Sequence, residues 1–437
     1  MSEHQEADIV IVGAGLAGIL FAARFRINHP NARIFLLEQE SETGGKLASS
    51  SSQSQTQAYG AFKASGLSMV SPALFDFMIH SLPAAPDESG HNPGDWKTLE
   101  SASVLSAGQL SPFSWDQWLE AESIKIFGAG AAVREWPDLE GILEGAQDAK
   151  DQNFSRVWKA GKKSAVVYSL KSFMPFCGLS DPLQASPLAI KDKLSLLKSG
   201  YYPGPWKLLG KEQLESLLPE ISLRTRCRVL QAKKTDFGWR LETETGDIET
   251  RKLVVAHHPS LALNWLDQND FPAPVLQVGL KTKPSSVVVL TLSGENLSLP
   301  SRLTFIPAEE CYCMPVGDSI VIHTVIDYEQ SLDAPSVVKA IRRLRRARKK
   351  LEKAFPEMNA VSEHLALVPA AWSYSGSPGE KKLMNKLLQE KIQTRELMFC
   401  GDAYGSSWNP DENLIQSVTA ASNIASTGHL TASQEVP

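Results

Sequence analysis

Five cysteines in 437 residues, at positions 177, 227, 311, 313 and 400, are too few and too scattered for a disulfide framework, and none has the CxxC spacing of redox and zinc motifs. They read as reduced core thiols, and no metal site is expected. Apolar runs are short: none approaches the ~20 residues that a membrane-spanning helix requires. Neither sign of charge dominates, the formal net charge being −5, which gives no general attraction to nucleic acid. The start, Met1-Ser-Glu-His-Gln-Glu-Ala7, lacks the basic n-region of a secretory signal and runs directly into an apolar strand pattern, so a cytoplasmic protein is expected. No internal repeat is evident. Hydrophobic residues make up 43% of the chain, ample for more than one core, and the length suggests roughly two to three domains.

The strongest signal stands at the beginning. Asp8-Ile-Val-Ile-Val12 reads as a buried strand, Gly13-Ala-Gly15-Leu-Ala-Gly18 as a glycine turn opening an apolar helix, and Arg33-Ile-Phe-Leu-Leu-Glu38 as a second strand ending in an acid. This is the fingerprint of a dinucleotide-binding βαβ unit, so an α/β fold of Rossmann type is expected. Gly13 permits the tight turn, Gly15 lets the backbone reach a pyrophosphate, and Gly18 lets the helix lie close on the sheet. Leu16, Ala17 and Gly18 open that helix, whose orphan N–H groups and positive dipole end favour phosphate. Glu38, with Gln39 beside it, comes about 20 residues after the last glycine, where a carboxylate accepts hydrogen bonds from an adenosine ribose.

Glu38 runs on into Glu40-Ser-Glu-Thr-Gly44-Gly45-Lys46-Leu47. Near the other end, Leu397-Met-Phe-Cys400-Gly401-Asp402 reads as a short buried strand, followed by a loop and a helical segment over 412–425. Residues 226–230, 238–246 and 252–256 read as three strands joined by short turns. Together these motifs resemble the FAD-dependent amine oxidase, protoporphyrinogen oxidase and phytoene desaturase superfamily. The resemblance implies FAD, held noncovalently, since no SGG-Cys segment precedes the terminal motif. It places Gly44, Gly45 and Lys46 by the phosphates, with lysine standing where arginine is usual. It further implies that Tyr59-Gly60-Ala61 passes near the isoalloxazine, that Val229 presents its backbone to the adenine, and that Gly401 and Asp402 lie against the pyrophosphate and ribitol. Asn413 and Leu414 would begin the last helix, whose N-terminus points at the flavin pyrimidine ring and stabilises the charge of reduction. His257 and His258 follow the third strand at the adenosine end, remote from the ring.

The implied architecture is a discontinuous FAD-binding domain of residues 1–66, 201–275 and 390–430, an inserted α+β substrate (cap) domain of residues 67–200 and 276–389, and a tail of residues 431–437. In the insert, helical patterns at 72–82, 115–127 and 190–198 and strand patterns at 286–292 and 319–326 precede a long helix over 337–355. That helix carries a basic run from Arg342 to Lys350, which suits an anionic substrate tail, an acidic partner or a membrane surface, or is a solvated face. Residues 124–133 imitate a second glycine turn, but Val133 replaces the third glycine and Pro137 is expected to interrupt the following helix.

Relatives remove a hydride from a carbon beside nitrogen, or from a carbon–carbon unit being desaturated, and pass the electrons to oxygen or another acceptor. The implied activity is an FAD-dependent oxidoreductase acting on a hydrophobic or amine-containing small molecule. A desaturase or isomerase like the phytoene desaturases, and a noncatalytic carrier resembling Rab GDP-dissociation inhibitors, are the alternatives. Tyr404, Trp408 and Trp372 are the implied substrate wall and catalytic residues, with Tyr374 beside them. Ser285 or Ser286 stands where many amine oxidases have a lysine. Nothing in the sequence indicates the oligomeric state.

Overall fold

The computed structural model describes residues 5–45, 69–82, 102–106, 108–112, 131–159, 181–192, 211–267, 284–294, 303–316, 319–358, 362–372, 377–389, 393–405 and 407–426, with short pieces between them. Two seven-stranded sheets organise these residues. The first runs Ile221–Arg224, Ile34–Leu37, Gln5–Val12, Gly246–Val255, Trp239–Thr243 and Val229–Lys234, and Leu397–Phe399 joins it alongside Gly246–Val255. Its central strands are parallel, and their apolar runs are buried on both faces, as a covered parallel sheet demands.

Alternation along these strands feeds two cores. Ile9, Ile11, Ile34 and Leu36 face the fingerprint helix Leu16–Asn28, the helix Pro72–Ser81 and the terminal helix Pro410–Ser426. Val10, Val12, Phe35 and Leu37 face the other way, onto Trp239, Leu241, Phe399 and Tyr404. Fully burying each such side chain stabilises the fold by about 1.5–3 kcal/mol. The parallel registers pair Val12 with both Leu37 and Val255, Leu37 with Arg224, and Val255 with Phe399. All these strands therefore end at one edge. Gly13, Glu38, Ala256 and Cys400 follow there, where ligands bind open α/β sheets.

The second sheet runs Ser362–Trp372, Ser285–Ser293, Ser319–Asp327, Cys311–Val316, Leu303–Ile306, Ala102–Ser106 and Gln109–Pro112. Its pairings are antiparallel except for that between Leu303–Ile306 and Ala102–Ser106. The basic helix, Ala334–Ala354, covers one face by burying Ala340, Leu344, Ala347 and Leu351, a stripe at helical spacing, against Val288, Leu290, Ile320 and Ile322. Its cations meet acids from elsewhere in the chain: Arg343 pairs with Glu310, Arg346 and Lys350 with Glu309, and Arg345 and Arg348 with Glu363. Much of the basic run is thus compensated within the fold.

Two local expectations change. Helix Ala131–Glu144 continues through Pro137. An interior proline loses one hydrogen bond and crowds the carbonyl four residues before it, together costing about 3 kcal/mol, and the next turn buries Leu139 completely. The imitation turn before that helix lies outside the described residues, as does the helical pattern at 115–127. The strand expected from residue 226 begins at Val229 instead. Arg226 takes a left-handed conformation with φ 54°, and the N–H groups of Arg226 and Cys227 donate to the Glu40 and Glu38 carbonyls. That stretch edges the second strand rather than opening a new one.

Candidate functional site

The fingerprint turn is a cradle of backbone. Gly15 caps the helix Leu16–Asn28 without any side-chain hydrogen bond, and no acid occupies the first turn, so no side chain of that turn competes for the positive end of the helix dipole. Gly18 must be glycine for packing: a Cβ would lie far inside contact distance of the Gly13 carbonyl and 3.2 Å from the Ala256 Cβ. Gly45 must be glycine for conformation, with φ 56° and a would-be Cβ 2.9 Å from the Gly15 Cα. Gly15 differs from both. Its φ of −74° and ψ of 176° suit any residue, and among the described residues a Cβ there would meet only the Gly45 Cα, at 3.8 Å. Nothing in the described protein requires glycine at 15. Glycine there leaves the backbone open to close approach by a ligand.

The walls of the cradle are hydrogen-bonded together. Gly44 N–H donates to the Ala14 carbonyl at 2.8 Å, which lays the Gly44-Gly45 pair across the turn. Glu38, 9% exposed, accepts from Ala14 N–H through Oε2 and from Glu40 N–H through Oε1, both at 3.0 Å. Those two bonds fix the carboxylate beside the turn, and a carboxylate has about four acceptor sites, so hydroxyl donors of a ribose suit it. Gln39 is exposed beside it. Val229 is buried at a bulge in its ladder with Trp239–Thr243. Lys46 and Gly60 lie outside the described residues.

The far-end motif arrives at the same edge. Cys400 N–H donates to the Val255 carbonyl at 3.0 Å, and Ala256 N–H to that of Val12 at 3.0 Å, so Gly401 stands alongside the fingerprint turn. Gly401 N–H donates to Ser417 Oγ, whose hydroxyl lies 2.9 Å from the Gly401 carbonyl and 3.0 Å from that of Leu414. Ser417 escapes sequence reading because it sits two turns into the terminal helix. Asp402 is half-buried at the turn, and Leu414 is buried in the core beneath the helix. Asn413, fully buried, clamps the loop: its Oδ1 accepts from Ser407 N–H at 2.8 Å and its Nδ2 donates to the Ser407 carbonyl at 2.9 Å. Its amide therefore serves loop geometry.

The implied aromatic wall divides. Tyr404 is 1% exposed, its ring packs on Phe399, and its hydroxyl donates to the His257 carbonyl at 3.1 Å. Burial raises the phenol's pKa. This corrects the expectation of a substrate-facing ring: Tyr404 ties the loop to the sheet edge. Trp408 packs on Ala189, with the Lys381 ammonium 5.4 Å from its ring centre. Lys381 also donates to the Ser407 and Gly405 carbonyls, and burial holds its pKa down to about 8. Trp372 ends its strand opposite Ser285, and its side chain lies outside the described residues, as does Tyr374.

His257 and His258 are structural. Burial lowers the His257 pKa to about 4, and its Nδ1 lies 3.1 Å from the His258 carbonyl. His258 Nδ1 accepts from Ser260 N–H and caps the helix Pro259–Ala262. Cys227, Cys311, Cys313 and Cys400 are free and buried, and burial pushes the last three thiols well above their usual range. Cys177 lies outside the described residues, among which no His, Cys, Asp and Glu cluster suits a metal and no helix is long and apolar enough to cross a membrane.

Residues 11–78 match the NAD(P)-binding Rossmann-like domain. No curated protein matches the chain. Among solved structures, a candidate protoporphyrinogen oxidase from Exiguobacterium sp. 255-15 is 14% identical, with 98% of this chain and 100% of that chain covered and a TM-score of 0.63. A CLA-producing fatty acid isomerase from P. acnes is also 14% identical, over 96% and 99% of the two chains, at a TM-score of 0.61. A putrescine oxidase bound to putrescine is 12% identical, over 96% and 99%, at 0.60. The chain thus carries a Rossmann-like dinucleotide-binding unit within a mixed α/β fold that it shares with these proteins along nearly its whole length.

Proposed function

We propose that the protein is an FAD-dependent oxidoreductase that takes a hydride from a hydrophobic or amine-containing small molecule and passes the electrons to oxygen or another acceptor. The observation that carries this reading is Gly15, a glycine that the described fold does not need and that a pyrophosphate against the helix N-terminus explains. Residues 1–66, 201–275 and 390–430 form the cofactor domain in this reading, and residues 67–200 and 276–389 cover the substrate.

Gly13, Gly15, Leu16, Ala17 and Gly18 would hold the phosphates through backbone N–H groups, with Gly44, Gly45 and Lys46 closing over them. Glu38 orients the ribose, and the Val229 backbone meets the adenine. Gly401, held by Ser417, and Asp402 would border the flavin side. When bound, FAD supplies the hydride acceptor. The chain's task is then to position one C–H and exclude water, and the loop beside Gly401 is tied down for this by Asn413, Lys381 and Tyr404.

The test is the visible spectrum of the purified protein, with the released cofactor identified by chromatography. Flavin bands near ~450 nm that bleach with dithionite and recover in air support the reading. A nicotinamide dinucleotide in place of flavin overturns the cofactor assignment. A colourless protein that cannot be reconstituted with FAD overturns the enzyme and brings the carrier forward.

A further inference from the structure

The two faces of the second sheet differ in how their polar groups are satisfied. On the face under the basic helix, Ser286 Oγ donates to Ser331 Oγ at 3.0 Å and Thr324 Oγ1 to the Glu310 carbonyl at 3.1 Å. The opposite face is lined by Val287, Val289, Val321 and Val325, with Ala366 and Val368 packed against them. By strand alternation Ser285 and His323 point the same way as these valines, since Ser285 precedes Val287 by two residues and His323 lies between Val321 and Val325. Both are buried, at 1% and 0% exposure. The Ser285 hydroxyl and both His323 ring nitrogens have no hydrogen-bond partner among the described residues.

Burying such groups unpaired forfeits the hydrogen bonds they make in water, so a bound molecule that pairs them recovers much of that loss. His323 is flanked in register by Val289 and Tyr312, whose ring centre is 4.7 Å from its own. Burial among these groups lowers the imidazole's pKa to about 3. At neutral pH the ring is therefore uncharged, with one nitrogen donating and the other accepting. A charged partner would lose its hydration on a surface of valines, so the matching group is a hydroxyl, carbonyl, amide or pyrrole N–H. Ser285 and the Val289 position beside His323 are four residues apart on one strand, which at about 3.3 Å per residue is roughly 13 Å.

We propose that this valine face binds an elongated, mostly apolar molecule carrying neutral hydrogen-bonding groups roughly 13 Å apart, with His323 engaging one and Ser285 the other. The inference rests on the oxidoreductase reading only in calling that molecule the substrate. It narrows the substrate class from any hydrophobic or amine-containing small molecule to a long molecule with uncharged polar groups at that spacing.

The test uses 1,10-decanediol as the probe, with 1-decanol as its single-hydroxyl control. The full chain is labelled with 15N-histidine, and the His323 resonances are assigned by their loss in His323→Gln. The diol should shift the His323 nitrogens and bind the wild type at least tenfold tighter than it binds His323→Gln. Ser285→Ala removes one small unpaired hydroxyl, and in that variant the preference for diol over 1-decanol should fall at least threefold while the His323 shift persists. A wild-type resonance that the diol leaves unmoved, or affinities equal across all three proteins, overturns the site and leaves ordered water as the partner of both groups. Flavin absorbance is read on the same samples. A flavin-loaded protein without the diol response refutes this inference alone, and a protein that takes up no flavin refutes the oxidoreductase reading whatever the diol does.

Discussion

Gly15→Ala separates folding from cofactor binding. The added methyl would meet only the Gly45 Cα at 3.8 Å among the described residues, an ordinary contact, and the backbone at φ −74° accepts alanine without strain. Two small terms oppose each other. Alanine is a poorer helix N-cap than glycine by about 0.5–1 kcal/mol, while the lost freedom of the unfolded chain returns about 0.4–1 kcal/mol. The apoprotein should therefore keep its stability to within about 1 kcal/mol, which for a chain of this length is a change in Tm of about 1 °C. Binding should respond quite differently. The methyl projects into the space where a pyrophosphate would approach the helix N-terminus, so affinity for FAD should fall at least tenfold, about 1.4 kcal/mol or more. Thermal denaturation of the apoprotein and titration with FAD followed by flavin fluorescence give the two numbers. An alanine variant that binds FAD like the wild type would refute the argument that a ligand accounts for this glycine. A variant that fails to fold would show that glycine at 15 is needed by the protein itself.

Two further outcomes follow from the charges. Burial holds the Lys381 pKa near 8 against an ordinary 10.5, so the fold disfavours its ammonium, and stability rises as pH climbs from about 8 towards 10.5, where the unfolded chain binds the extra proton. Lys381→Met lacks this titration, so between pH 7 and pH 10 the wild type should gain roughly 2–3 kcal/mol relative to the variant; parallel stability curves would contradict it. Glu309 is 6% exposed and holds both Arg346 and Lys350, so Glu309→Gln should cost about 1–3 kcal/mol at low salt, with the loss shrinking in high salt; a salt-independent loss would mean packing rather than charge is responsible.

Legibility followed sequence distance. The fingerprint strand, its helix, Glu38 and the terminal Gly401-Asp402 could be read directly, because each is a local pattern with a fixed geometric task. The strands Ser285–Ser293 and Ser319–Asp327 were equally plain, since apolar runs of that length between turn residues suit little else. Contacts made across the chain were hidden. The basic run reads as an exposed patch until Glu309, Glu310 and Glu363 are brought beside it from other elements. Tyr404 carries no mark of its core position in the sequence, because its partner is the carbonyl of His257, 147 residues earlier. Lys381 and Ser417 belong to helices whose patterns announce only amphipathicity, and their polar roles arise where those helices meet the 401–409 loop. Pro137 misled for the opposite reason. A strong local rule was outweighed by burial of the turn beyond it.

Strand Gly246–Val255 pairs along one side with Gln5–Val12 and along the other with Leu397–Phe399. The two halves of the cradle, made nearly 400 residues apart, thus share a single template strand in the middle of the chain. During synthesis the fingerprint turn has to wait for residues 246–255 to gain that neighbour, and the Gly401-Asp402 side cannot form before residues 397–402 have been made. Pairings of such long range close slowly, and until they close the template strand exposes an apolar edge that invites association with other chains. A dinucleotide that binds only the completed edge would be captured late in folding, and would then draw the last strand into place and act as a folding aid.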